Sequence, residues 1–415
     1  MATSSSFQFG VELELLLASR KKSHPNWKAL ARDLSKRLAK AGIANHVNEG
    51  NDKSRDNYRE WSIVQEITIP SQPAKNLWGI ELVSPIYPVY SYWAADLSTI
   101  FSVVQSSAYN VVPSANCSTH VHISGTPVPF SAQELAALAK CALYFEPALD
   151  LLVPSGRRGS TAYWCQSNRA NPALRRVELD SLSTGGTGGL ASCLGFLDGI
   201  LAPAATAVAE EGSCDDDSPG GSSTSFTYSS SSGSQSSSTS YSPPSSSSSS
   251  PPGDCNMNVQ HQQQSKLEAK LLTSIISTMN LFPANSAYGR SHGKKKDFLR
   301  GKVYKWDFTG MLPSSSTKGE NAGRGTVEFR QPPGSLSAEG AAGWITLALA
   351  FVVGAMAVGP RLGGGGGGGL ENGHAEEEEM NGASPDELWE LLSGGAEVLG
   401  WESLGAVEGL FARMG

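Results

Sequence analysis

The chain opens on a strict alternation. In Phe7-Gln-Phe-Gly-Val-Glu-Leu-Glu-Leu-Leu-Leu17, Val11, Leu13 and Leu15 fall on one side and Glu12 and Glu14 on the other, the period-two signature of a strand with one buried face. From Trp27 to Ala41 the apolar spacing becomes helical, charges take the opposite face, and Gly42 supplies a stop. Two strands are expected next, over 61–69 before Pro70 and over 79–84 before Pro85. An amphipathic helix over 94–107 and a strand over 116–124 follow. Ser131 and Glu134 have capping-box spacing for an apolar helix over 132–152, which Pro147 should kink or end. Farther along, 266–279 and 341–358 read as helices, and 303–308 and 325–330 as strands.

Composition interrupts this series. Residues 211–264 are dominated by serine, with proline and glycine, and such a segment buries too little apolar surface to offset its chain entropy, so it is expected to be disordered. It reads as an insert within one catalytic domain over 7–358, because recognisable elements resume after it. A tail over 359–415 begins with the glycine run 363–369 and an acidic run at 376–379. The tail is expected to be flexible and dispensable for chemistry, with a short helix at Ser384 as N-cap and Pro385 at the first helical position. The uncharged stretch 341–358 is near the lower length for a membrane span; because it follows a chemistry-bearing strand directly, a buried core helix is expected and no membrane.

Net charge is −7 over 415 residues, which argues against a general nucleic-acid binder. Lys294, Lys295, Lys296, Arg300 and Lys302 form a basic cluster, read either as a solvated loop or as one facing phosphate. Six cysteines occur with no CxxC pair, which points to reduced thiols rather than a zinc ribbon or disulfide framework. No secretory signal is read in the polar N-terminus, and a cytoplasmic location is expected.

Candidate chemistry lies in polar pairs two residues apart, which share one face of a strand. Glu12 and Glu14 are one pair; facing a pocket they would repel and need a cation between them. His120 and His122 can share a metal or divide labour between metal and phosphate. Glu328 and Arg330 set an acid beside a guanidinium. Glu66 and Thr68 form a fourth face, and Glu81 is a lone acid in an apolar strand, where acids are rarely buried without a partner. Each has an ordinary reading as a half-exposed strand or surface salt bridge. Together, acids and histidines on several strands suit hard cations and nucleotide phosphates. The sequence contains no Walker A motif, dinucleotide fingerprint or GxSxG, and the glycine run at Gly363 reads as a linker.

Five motifs stand in a telling order: Phe9-Gly-Val-Glu-Leu-Glu, Trp61-Ser-Ile-Val-Gln-Glu, Gly79-Ile-Glu-Leu-Val-Ser-Pro, Asn116-Cys-Ser-Thr-His-Val-His and Thr326-Val-Glu-Phe-Arg. Over about 7–350, excluding the Ser-rich insert, the chain resembles the amidoligase family, which is similar to glutamine synthetase and glutamate–cysteine ligase. The resemblance implies an α+β fold, a curved, mainly antiparallel sheet with helices packed on one side, as in glutamine synthetase. It implies an ATP- and magnesium-dependent ligase joining small-molecule or peptide carboxylates to amines through an acyl phosphate. Glu12, Glu14, Glu81, His120 and Glu328 would be metal ligands. His122 and Arg330 would serve catalysis and bind the cofactor phosphates, with Glu66 beside them. Ser118 stands where the family usually has Gly, Glu66 where Asp is common, and Asp307 where Asn is usual. Arg157, Arg158, Asn168 and Arg169 are candidates to meet an anionic substrate. Two other readings of the same residues are a His/Glu metal-dependent hydrolase and a non-catalytic nucleotide-binding scaffold.

Overall fold

The long first strand, β1 (Ser6–Ser19), is the axis of the sheet. The computed structural model describes residues 6–52, 55–184, 188–211, 254–280, 302–312, 325–363 and 382–412. The Ser-rich stretch over 212–253, the lysines and arginine of the basic cluster before Lys302, and the glycine and acidic runs over 364–381 lie outside the described residues. The remaining strands are β2 (Asn45–Val47), β3 (Trp61–Gln65), β4 (Leu77–Val83), β5 (Tyr87–Pro88), β6 (Tyr109–Val112), β7 (Thr119–Thr126), β8 (Trp306–Asp307) and β9 (Val327–Phe329). The helices are α1 (Trp27–Lys40), α2 (Trp93–Val104), α3 (Ala132–Tyr144), α4 (Glu146–Leu151), α5 (Pro172–Ser183), α6 (Gly189–Glu211), α7 (Asp254–Asn280), α8 (Ala338–Val358), α9 (Pro385–Val398) and α10 (Gly405–Phe411).

The sheet is open, in the order β2-β3-β4-β1-β7-β9-β8, with β5 and β6 also paired to β1. Every pairing is antiparallel except β2 with β3. With the helices this makes a mixed architecture consistent with the expected α+β class. Alternation decides the faces. Val11 lies opposite Val121, which lies opposite Phe329, and Leu13 lies opposite Leu82; all are buried. Burying each such side chain contributes about 1.5–3 kcal/mol, so this face anchors the strands. Helices α2, α3 and α8 pack together, with α8 also against β7, while α1 covers β2, β3 and β4.

The two short strands at the far edge are held from both sides. Trp306 stacks on Phe329 and on Phe351 of α8, with ring centroids 4.5 and 5.0 Å apart. Among the described residues no strand lies along the outer edge of β8, and asparagines satisfy it. Asn168 Oδ1 accepts from the Trp306 N–H at 2.9 Å, and Asn280 Oδ1 accepts from the Phe308 N–H at 2.9 Å. Both side-chain amides donate to the Trp306 carbonyl, at 2.9 and 2.8 Å. An edge so satisfied offers no template for a further strand.

Several expectations are corrected. The strand over 61–69 ends at Gln65. Glu66 Oε1 accepts from the Thr68 N–H at 2.7 Å and turns the chain, so Glu66 and Thr68 do not share a strand face. The turn folds over Gly79, where an added Cβ would come within 2.8 Å of the Ile69 carbonyl oxygen. The helix over 132–152 is two, α3 and α4, with Pro147 in the first turn of α4, and the capping box of Ser131 and Glu134 is present. The helix over 266–279 begins earlier, at Asp254. Strands β2, β5 and β6 and helices α5, α6 and α10 were not anticipated.

The tail differs most. Ser384 caps α9 in a full capping box, and α9 and α10 both pack on α8. Leu388, Leu391, Leu392, Val407 and Leu410 are buried. The approach is close: a Cβ on Gly395 would come 2.0 Å from the Ala350 carbonyl oxygen, and one on Gly354 2.4 Å from that of Leu391. Helix α8 is long and apolar enough to cross a membrane by length and composition, yet 78% of its apolar window is buried inside the protein. It packs as the expected core helix. The sheet and all the elements discussed so far, apart from the distal turns of α6 and the first turns of α7, form one compact unit (Met1–Leu201 with Glu268–Gly415). Ala202–Leu267 is a second unit, whose described residues are those helical turns.

Candidate functional site

The face of the sheet opposite the apolar one carries a ridge of charge. Glu81 on β4 lies opposite Glu14 on β1, and Glu12 lies opposite His120 on β7. His122 lies opposite Glu328 on β9, which lies opposite Asp307 on β8. Residues directly opposite in antiparallel strands share a face with Cβ atoms about 4.5–5.5 Å apart, so the register alone draws these groups together. His120 Nδ1 is the hub, 3.4 Å from Glu12 Oε2, 3.5 Å from Glu328 Oε1 and 3.8 Å from Glu14 Oε1. His122 Nε2 lies 3.3 Å from Glu12 Oε1 and 3.7 Å from Glu328 Oε1. Arg330 Nη1 donates to Glu328, and Lys302 Nζ stands 3.9 Å from Glu328 Oε2.

Two groups of ligand atoms lie within 4.8 Å of one another: Glu12, His120 and Glu328, and Glu14, Glu81 and His120. Carboxylate oxygens with one imidazole are a hard donor set that fits a divalent cation. The electrostatics agree. Burial, then the charge of Glu66 and that of Glu12, push the Glu14 carboxyl up to about 8, as expected where acids crowd together in low dielectric. Glu12 goes the other way. Burial opposes ionisation there, but His122 and the hydrogen bonds of both histidines outweigh it and hold the group well below the usual carboxylate range. Glu328 is likewise lowered, burial being overcome chiefly by Arg330 and His122.

The histidines are driven apart as well. Burial and then Arg330 push His120 down to about 4, so it is neutral at pH 7, the form that ligates metal. Burial also lowers His122, but the charges of Glu328 and Glu12 more than offset it, and its pKa is raised. Among the described residues, Arg330 Nε is buried and makes no hydrogen bond. An unsatisfied buried donor costs about 1–3 kcal/mol, and such exceptions mark places built to take a ligand or ion.

The loop behind the ridge is braced. The Ser118 N–H donates to Glu14 Oε2 at 2.7 Å. Among the described residues, the non-glycine positions with positive φ are Asn51 and Asn76, so Ser118 carries no left-handed strain in the place of a glycine. Arg157, a candidate for binding an anion, is instead buried and structural. It donates to the carbonyls of Gln331 at 2.8 Å and Arg330 at 3.2 Å and to Ser118 Oγ at 2.9 Å. Arg158 donates to the Val153 carbonyl at 3.0 Å, and Asn168 braces β8; neither is a free substrate contact.

Seven of the expected site residues, Glu12, Glu14, Glu81, His120, His122, Glu328 and Arg330, therefore lie along one face. Glu66 sits at its margin, off the strand but close enough for its charge to act on Glu14. Lys302 and Asp307 join the ridge without having been singled out for it. Asp307 is buried and its Oδ1 accepts from the Thr309 N–H at 2.7 Å.

Residues 5–185 match the family model described as "Putative amidoligase enzyme". This agrees with the resemblance drawn from the five motifs. The amidoligase-like segment contains β1 to β7, and with them Glu12, Glu14, Glu66, Glu81, His120 and His122. Glu328 and Arg330 lie outside it, and the fold returns them to the same face. No curated protein and no solved structure matches the chain.

Proposed function

We propose that the protein is an ATP- and magnesium-dependent carboxylate–amine ligase with a glutamine synthetase-like catalytic fold. The observation that carries this reading is the cross-strand ridge itself: four glutamates, a neutral His120, a raised His122 and Arg330, converging from β4, β1, β7 and β9. The description of the matching family supports a ligase. Glu12, Glu14, Glu81, His120 and Glu328 would hold magnesium. Magnesium held there would neutralise the phosphates of ATP, whose γ-phosphoryl group would activate the carboxylate as an acyl phosphate, so that an amine could displace phosphate and, losing a proton, form the amide.

The chain's own part is positioning and charge. Glutamates fixed by strand register keep their geometry. His122, protonated more readily than a free imidazole, and Arg330, always cationic with a planar fork, can face the phosphoryl oxygens as charge develops. Lys302 adds a cation at the same end.

The test is calorimetric titration of the full chain with ATP, with and without magnesium, beside its Glu12→Gln variant. Magnesium-dependent binding that the variant loses is the expected result. A folded protein that binds no ATP under either condition removes the ligase reading, counts against the nucleotide-binding scaffold as well, and leaves the hydrolase to be considered.

A further inference from the structure

A cavity of about 470 Å³ is lined by Tyr90, Trp93 and Ala94 at the start of α2, by Thr346 of α8, and by Trp401 and Ser403 of the loop joining α9 to α10. That volume is in the ordinary range of ligand pockets, and an apolar, aromatic lining with a few polar groups is their usual character. No Asp, Glu, Lys, Arg or His is among the lining residues. Trp93 is set edge-on against Phe9, with ring centroids 5.5 Å apart. By strand alternation Phe9 shares the apolar face with Val11 and Leu13, so the cavity lies on the helix side of the sheet and the ridge on the other.

Thr346 is the residue that points to a ligand. It is 8% exposed, on a core helix, and its hydroxyl makes no hydrogen bond among the described residues. Other helical hydroxyls here, those of Ser98, Thr99, Thr273, Ser277 and Thr278, donate to the carbonyl four residues back. Thr346 forgoes that bond and lines the cavity instead, and a buried polar group left without a partner calls for an occupant. The first turn of α2 is open as well. Its N-cap, Tyr92, gives it no side-chain hydrogen bond, and Asp96, the acid of that turn, accepts from the Tyr87 hydroxyl and is not among the lining residues.

From this arrangement we infer that the cavity binds a small aromatic carboxylate, its ring among Tyr90, Trp93 and Trp401 and its carboxylate accepting from the Thr346 hydroxyl and the first N–H groups of α2. The indole and helix N–H groups can only donate, and the lining has no carboxylate to receive a cation, so a cationic ligand would be buried without a counter-charge. An anion meets the positive end of the α2 dipole. A ring without a charged group would leave these donors idle, and an anion without a ring would leave the aromatic walls uncovered. The site is on the other side of the sheet from the ridge and does not depend on the ligase reading.

The experiment is calorimetric titration of the full chain with benzoate, phenylacetate and 1-naphthoate, in chelator so that the ridge holds no metal. Acetate and benzyl alcohol are the controls that lack the ring and the charge. At least one aromatic carboxylate should bind saturably, and both controls should bind about tenfold or more weakly. Thr346→Val keeps the shape of the side chain and removes the hydroxyl, and it should weaken the carboxylate about tenfold. Because that hydroxyl has no partner to lose, the variant should melt no lower than wild type, which circular dichroism verifies. No saturable binding to the folded wild type, benzyl alcohol binding as tightly as the carboxylates, or equal binding to wild type and the folded variant overturns the site. The comparison with benzyl alcohol uses wild type alone and decides the matter even if the variant does not fold.

Discussion

Glu14 and Ser118 hold each other by two hydrogen bonds: the Ser118 N–H donates to Glu14 Oε2 at 2.7 Å, and the Glu14 N–H donates to the Ser118 carbonyl at 3.0 Å. Neither bond uses the serine hydroxyl, which accepts from Arg157 instead. Ser118→Ala should therefore cost about 1.5–3 kcal/mol, one hydrogen bond to a charged donor, and leave cation affinity unchanged. Arg157→Ala removes all the arginine's bonds to this loop and should cost about 2–3 kcal/mol while weakening cation binding. Urea unfolding and magnesium titration measure both effects. A large loss of cation affinity in Ser118→Ala would contradict this division.

The acid pair on β1 gives the cation-free protein a characteristic pH dependence. Glu14 titrates at about 8 in the fold against an ordinary 4.5. Across that window the folded state keeps a proton that the unfolded chain has released, so stability falls as pH rises through it. Glu14→Gln holds no such proton. In chelator, the stability advantage of Glu14→Gln over wild type should grow as pH rises from 4.5 toward 8 and then level off. Thermal unfolding of the pair across this range checks it; a constant difference would show that Glu14 is not held protonated by its surroundings.

The two histidines should separate by assay. His120→Asn removes the hub of both ligand groups and should weaken manganese or magnesium binding by more than the roughly 10–100-fold typical of losing an outer partner. His122→Asn should leave cation affinity nearly unchanged and weaken ATP binding in the presence of magnesium. Equal losses in both titrations for both variants would mean that the histidines act as one unit.

The C-terminal helices are part of the core, so their removal should be costly. Deleting 382–412 removes the buried Leu388, Leu391 and Leu392 and uncovers the side of α8 they cover, a loss on the order of 5 kcal/mol at about 1.5–3 kcal/mol per leucine. Gly395→Val should act in the same direction in the full chain, because its Cβ would lie 2.0 Å from the Ala350 carbonyl oxygen. Denaturant unfolding measures both. A deletion as stable as the full chain would show the two helices to be separable.

Most of the ridge was legible because strand alternation fixes which side chains share a face: Glu12 with Glu14, His120 with His122, Glu328 with Arg330. What alternation does not carry is register. Only the pairing of Glu12 with His120 and of His122 with Glu328 turns three separate pairs into one site, and those contacts are not local in the chain. Glu66 was misplaced because Pro70 looked like the strand's end, while its own carboxylate, turning the chain at Thr68, had ended the strand earlier. Asp307 was named only for standing where Asn is usual, and Lys302 only as a member of a basic cluster, because a two-residue strand has no period to put Asp307 on the ridge. The arginine candidates Arg157 and Arg158 were charged residues whose partners are backbone carbonyls and, for Arg157, the distant Ser118 hydroxyl as well, pairings that leave no trace in a sequence. In the tail, Leu388, Leu391 and Leu392 already stood at helical spacing, but the glycine run before them suggested a linker to a dispensable end.

The order of the segments along the chain bears on biosynthesis. Glu12, Glu14, Glu81 and both histidines emerge early, within the amidoligase-like segment, whereas β9 must come back from far along the chain to lie beside β7. A nascent chain halted before residue 325 would hold the crowded carboxylates of β1 and β4 without Arg330, and its Glu12–His120 half-site without Glu328. Closing such a long connection is slow relative to local pairing. The last strand to arrive is thus the one that brings Glu328 to Glu12 and His120 and Arg330 to Glu328, and a cation bound by that group would mark the end of folding rather than its beginning.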